Sequence, residues 1–264
     1  MGTSGAYGGS GAGAWDEAHE AYEQAGGPPE AAPPVEQVVQ ALITALRRSN
    51  TTTAAGPGAY SATATVPSRG TSSGGYIRSR TGGGGGGGGA AGGGGMGRRA
   101  ARGATAVGGV QAYRARDASA LAELGLDLAT LDALPNDRAR CVAIADALLG
   151  VPAHPDDAAL KAAAIQTMIE ALRGKVELSS DELVEKFTAN LTFELVLVEL
   201  TSQRRAATVP PKNAARTEAK IKKYVRNSLR TAKARTGRRL STQGLVDLAG
   251  ALASRVLNIF GRKS

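Results

Sequence analysis

The amino-acid sequence predicts an all-α protein: a C-terminal helical bundle preceded by a long, disordered, Gly-rich N-terminal region with one or two short helices. Three observations predict it. Beyond position 110, apolar residues recur at helical spacing, with no strand signal of comparable strength. Capping side chains open these runs, and Gly or Pro residues close several of them. Of the 36 glycines, 29 fall in residues 1–110, where large apolar side chains are too few to offset chain entropy. The expected organisation is a flexible leader over 1–13, short helical segments over 14–48, a disordered Gly/Ser/Thr-rich linker over 49–110 and an α-helical domain over 111–264.

In the first part, Ala14–Ala25 reads as a short helix with Asp16 and Glu17 near its start, ended by Gly26-Gly27-Pro28-Pro29. Pro33-Pro34 introduces Val35, Val38, Val39, Leu42, Ile43 and Leu46 at helical spacing. Arg47 and Arg48 close that helix, where positive charge complements the dipole. Residues 82–95 contain twelve glycines and two alanines. A flexible chain of about sixty residues spans about 45 Å, so the segment reads as a tether.

The second part reads as consecutive helices. Asp117 caps one containing Leu121 and Leu124. Asp137 opens the next, with Cys141, Ile144, Ala145, Leu148 and Leu149 on its apolar side and Gly150 at its end. Asp156 and Asp157 start a third, carrying Leu160, Ala164, Ile165, Met168, Ile169 and Leu172 and closed by Gly174. Ser179 and Glu182 form a capping box. The helix they open is apolar nearly all round, with Leu183, Phe187, Leu191, Leu195 and Val198 on one stripe and Phe193, Val196, Leu197 and Leu200 on the rest. Such a helix belongs in the middle of a bundle. After Pro210-Pro211, Asn213 is placed to cap a helix with Ile221, Tyr224, Val225 and Leu229 inside. Ser241 caps the last, with Leu245, Leu248, Leu252, Val256, Leu257 and Phe260.

The net charge of +9 is unevenly spread. Residues 1–110 carry +2, residues 111–200 carry −7 and residues 201–264 carry +14. A single cysteine excludes an intramolecular disulfide framework and fits a reducing compartment. No apolar run reaches the ~18 residues of a membrane span, and Met1–Gly9 has no basic n-region or apolar h-region. The expectation is a soluble, cytoplasmic protein with no membrane partner.

Catalytic constellations are sparse. His19-Glu20-Ala21-Tyr22-Glu23 has no second histidine four residues on, which excludes the two-histidine metal helix. His154 lies between Pro152 and Pro155 and reads as an exposed loop residue, and Cys141 as a buried, inert thiol. The glycine run ends in Met96-Gly97-Arg98-Arg99, without the Lys-Ser/Thr of a phosphate loop. Neither an enzyme nor a cofactor is expected. Asn190 and Glu194, one turn apart on the apolar helix, need buried partners, and an arginine of the basic half is the natural one. Glu199 has a similar claim. The basic block itself, Lys220, Lys222, Lys223, Arg226, Arg230, Lys233, Arg235, Arg238 and Arg239, has two readings. It is a nucleic-acid or other polyanion footprint, or it neutralises the −7 block or an acidic partner protein.

The N-terminus carries its own signal. Removal of Met1 before Gly2 leaves an unhindered amine, and Ala6 stands where N-myristoylation wants Ser or Thr. Met1-Gly2-Thr3-Ser4, two variable residues, then Tyr7-Gly8-Gly9 resembles the start of QatB proteins, components of the bacterial four-gene Qat anti-phage system. Leu124–Leu126, Ala147-Leu148-Leu149-Gly150 and Asn190-Leu191-Thr192-Phe193-Glu194, in a long helix followed by a basic one, are also similar. The resemblance covers the first nine residues and roughly residues 112–260. It implies a non-enzymatic component working beside an ATPase, a QueC-like modifying enzyme and a TatD-like nuclease. It further implies Gly2 as acceptor of a 7-deazaguanine group, with Thr3, Ser4, Tyr7, Gly8 and Gly9 as the recognised leader. The alternative is a basic nucleic-acid-binding adaptor.

Overall fold

Local signals set many of the helix ends. Asp117 accepts from Ala120 N at 3.0 Å, Asp127 from Thr130 N at 2.7 Å, and Asn136 from Ala139 N at 2.9 Å. The Ser179–Glu182 capping box closes in both directions, at 3.1 and 3.3 Å. Ser241 Oγ accepts from Gly244 N at 3.2 Å. Gly150 ends its helix at φ 74°, a left-handed conformation that costs glycine little.

The computed structural model describes residues 12–28, 30–52, 94–174, 178–203, 209–231 and 240–260. These form ten helices, and no strand occurs among the described residues. In chain order they are α1 (Ala12–Gly26), α2 (Val35–Thr52), α3 (Gly94–Arg114), α4 (Ala118–Glu123), α5 (Leu128–Asp132), α6 (Asp137–Leu149), α7 (Pro155–Arg173), α8 (Ser180–Gln203), α9 (Pro211–Thr231) and α10 (Thr242–Phe260). The fold class is the all-α bundle that the sequence predicts.

Helices α3 and α8 form the inner pair. Around α3 lie α10, α7, α6 and α4; α8 packs on α7, α10 and α9. The outermost helix, α1, rests on α2 and α9. One apolar cluster runs through all of this, from Trp15 and Tyr22 of α1 to Leu252 and Val256 of α10. The two N-terminal helices therefore belong to the same core as the C-terminal ones and are not a separate unit.

Two sequence expectations are corrected. The linker expected over 49–110 is helical at both ends, because α2 runs to Thr52 and α3 starts at Gly94; residues 53–93 lie outside the described residues. The physical reason is size. Met96, Ala100, Ala104, Val107 and Val110 are buried along α3, and the small side chains of the alanines let neighbouring helices approach. At Gly103, an added Cβ would stand 2.2 Å from Phe187 Cζ and 2.7 Å from Leu160 Cδ1. Glycine content was a packing signal there. Second, Asn213 does not cap its own helix. Its Nδ2 donates to Gly26 O at 2.9 Å, and Thr217 Oγ1 donates to Ala25 O at 3.2 Å, so α9 satisfies carbonyls that end α1. Asp137 opens α6 as its first residue, as the sequence predicts, and Asn136 caps it from the position before.

Several buried polar groups tie the bundle together. Ser180 Oγ accepts from Gln111 Nε2 at 3.1 Å and from Leu240 N at 2.7 Å, joining α3, α8 and the start of α10. Arg114, at the end of α3, donates to Ala171 O and Gly174 O at the end of α7.

Candidate functional site

The richest arrangement of polar and charged groups surrounds α9. Ala214, Thr217, Ile221, Val225 and Leu229 are buried and fix the inner face of that helix. At 100° per residue, Lys222 and Arg226 fall on the flank between this face and solvent. Lys212, Arg216, Lys220 and Lys223 fall on the outer face, and all four are exposed. One helix thus presents two sets of cations with different surroundings.

The flank set faces a buried polar seam between α7 and α8. Thr167 Oγ1 donates to Ala163 O at 2.8 Å and accepts from Asn190 Nδ2 at 2.9 Å. Arg226 Nη2 donates to Asn190 Oδ1 at 2.9 Å and to Glu170 Oε1 at 2.6 Å. Lys186 Nζ stands 3.8 Å from the other Glu170 oxygen. Asn190 and Thr167 are fully buried, so their amide and hydroxyl groups need these partners to offset lost hydration. Threonine, asparagine, arginine and glutamate together lock three helices in register.

Glu194 is not part of that chain of bonds. Burial pushes its carboxyl above the usual range; Lys222 pulls it down, while Glu218 adds to the rise. Lys222 is shifted the opposite way, lowered by burial and by the neighbouring Arg226 charge, against the pull of Glu194 and Glu170. Its ammonium lies 5.2 Å from the Phe193 ring centroid, a cation–π contact that partly replaces water. The structure therefore sends Asn190 to Arg226 and Glu194 towards Lys222.

Other sequence-selected residues fall as follows. Gly2, Thr3, Ser4, Tyr7, Gly8 and Gly9 lie outside the described residues, as do Lys233, Arg235, Arg238 and Arg239. The side chains of Arg230 and Glu199 do too. His154 is the N-cap residue of α7, and His19 is buried with its ring 6.2 Å from that of Trp15. Burial pushes the Cys141 thiol up to about 12, so it stays protonated and a poor nucleophile at neutral pH. Among the described residues no group of three or more His, Cys, Asp or Glu side chains is arranged to hold a metal ion. None of the described helices is long and apolar enough to cross a membrane.

Sequence reasoning missed Thr167 and Glu170, which sit on α7 and meet Arg226 only after α7, α8 and α9 assemble. It also missed Lys212 and Arg216. Counting back from Ile221 by the helical angle would have placed both beside Lys220 and Lys223.

With this geometry in hand, the chain was compared with known proteins: no protein-family model matches it, and neither a curated protein nor a solved structure matches it significantly.

Proposed function

We propose that this chain is a non-enzymatic scaffold component of a bacterial anti-phage defence system, similar to QatB proteins, acting in the cytoplasm. Its N-terminal glycine is the acceptor for 7-deazaguanine conjugation by a QueC-like partner. An ATPase and a TatD-like nuclease are the further partners of this reading. The observation that carries it is the pairing, in one chain, of the Met1-Gly2-Thr3-Ser4…Tyr7-Gly8-Gly9 head with the Asn190-Leu191-Thr192-Phe193-Glu194 segment.

Two structural features support a scaffold role. Asn190 is engaged in holding α7 and α9 against α8, which gives that segment an architectural role. The leader precedes α1 in sequence, and α1 packs on α2 and α9. A free amine on a short glycine-rich leader suits acyl transfer from an adenylated acid. The Gly2 nitrogen attacks the activated carbonyl, an amide forms, and AMP and a proton leave.

Intact-mass measurement after co-expression with the QueC-like enzyme tests the reading. The expected result is loss of Met1 plus a deazaguanine-sized adduct, abolished by Gly2→Ile. A mass explained by Met loss alone, with an active partner enzyme present, overturns it.

A further inference from the structure

Six acidic residues of the bundle are paired with its own cations. Asp156 pairs with Arg99 at 2.6 Å, Asp157 with Arg102 at 3.4 Å, Asp132 with Arg116 at 2.5 Å and Asp137 with Arg140 at 2.9 Å. Asp146 pairs with Lys161, and Glu170 with Lys186 and Arg226. The cations that neutralise the acidic block thus come mainly from α3, α6, α7 and α8 and from the turn at Arg116. On α9, Arg226 alone among the described cations joins this network through an ion pair.

Lys212, Arg216, Lys220 and Lys223 are left over. They are exposed, are separated by four, four and three residues, and have no ion pair with any described residue. At a rise of 1.5 Å per residue they form a line about 16 Å long. The positions between them on this face, Ala215 and Ala219, are small. A protein partner needs an aromatic or aliphatic anchor at the centre of its interface, and this face has none. A single nucleic-acid strand needs aromatic platforms for its bases, whereas the one aromatic of α9, Tyr224, packs against the core cluster. A duplex backbone needs neither; it offers about one charge per 1.7 Å of axis and asks only for regularly spaced cations. Beside Arg216 and Lys220 lies a notch of about 70 Å³, also lined by Asn213 and Gly27. In sequence the positive charge continues beyond this face through Arg230, Lys233, Arg235, Arg238 and Arg239.

The geometry points to the outer face of α9 as a site for the backbone of double-stranded nucleic acid, held through Lys212, Arg216, Lys220 and Lys223 without sequence preference. This inference stands independently of the N-terminal modification and survives its failure.

Fluorescence anisotropy of the full chain with a labelled mixed-sequence duplex of about 20 base pairs tests it. Four phosphate contacts contribute a slope of about −3.6 in log affinity against log salt, or a loss of more than about 100-fold between about 50 and about 200 mM. Replacing Lys212, Arg216, Lys220 and Lys223 together by Gln removes that part of the slope. Each single Gln variant removes about one unit, so the test remains decisive if the quadruple variant does not fold by circular dichroism. The control pair Arg138→Gln and Arg255→Gln removes charge from exposed positions elsewhere and leaves the slope unchanged. Absence of duplex binding at about 50 mM salt, or an unchanged slope in the single and quadruple variants, overturns the inference. Equal competition by polyglutamate of matched charge also overturns it and assigns the face to an acidic protein. Equal affinity for a single strand overturns the duplex assignment.

Discussion

Helices α3 and α9 have the same length, 21 residues, and both are rich in small and basic residues. They end in opposite places. Helix α3 lies at the centre, with Arg99 and Arg102 turned to aspartates of α7 and Arg114 to carbonyls at its end. Helix α9 lies at the periphery, buries a narrow apolar stripe and leaves four cations facing solvent. The difference lies in what stands between the charges. Glycine and alanine stripes admit neighbouring helices closely on several sides, whereas Ile221, Val225 and Leu229 give α9 one face to bury and one to expose.

The comparison can be broken at the centre first. Gly103→Leu forces a side chain into space held by Phe187 and Leu160, and the expected loss is about 3 kcal/mol in urea unfolding. Adding Phe187→Leu recovers part of that loss. An unchanged midpoint for the single variant would show that α3 is not enclosed. Next comes the seam that orients α9. Asn190→Leu removes the donor to the Thr167 hydroxyl, which keeps its bond to Ala163 O, and the acceptor of one Arg226 hydrogen bond, at a cost of about 2 kcal/mol. Arg226→Met in the same chain offsets some of it, since an apolar pair asks for no hydrogen bonds. A smaller change is expected for Asn213→Ala, about 1 kcal/mol, accompanied by faster hydrogen exchange in the last turn of α1. The smallest belongs to the outer face of α9. Lys212→Gln or Lys223→Gln shifts the unfolding free energy by less than about 0.5 kcal/mol, because neither side chain holds anything in the fold. A large destabilisation there would mean that these cations are part of the bundle.

Much of the fold was legible because its signals are local. Asp117, the Ser179–Glu182 box and Ser241 cap the helices that their spacing marks, and Leu183, Phe187, Leu191 and Leu195 place α8 in the core. Helix α3 was not legible as a helix, because glycine signals both a linker and close helix contact. Only the recurrence of Met96, Ala100, Ala104 and Val107 at four- and three-residue steps separates the two. The short α5 was missed because it is five residues long, with only the Asp127–Thr130 cap to announce it. At the candidate site the sequence shows where the cations are, but their division into inward and outward sets depends on the register of α9. Glu170 and Thr167 could be found only from the packing, since no sequence spacing relates them to Arg226.

The junction between α1 and α9 also governs when the molecule becomes whole. The Tyr22 hydroxyl reaches Glu218 across 196 positions of sequence, and the end of α1 reaches Asn213 across 187. A ribosome adding about 5–20 residues per second needs about 10–40 s between making the two sides of that contact. Throughout that interval α1 lacks the partner that satisfies its final carbonyls. Helix α1 is made well before α9 and completes its contacts only after α9 has been made.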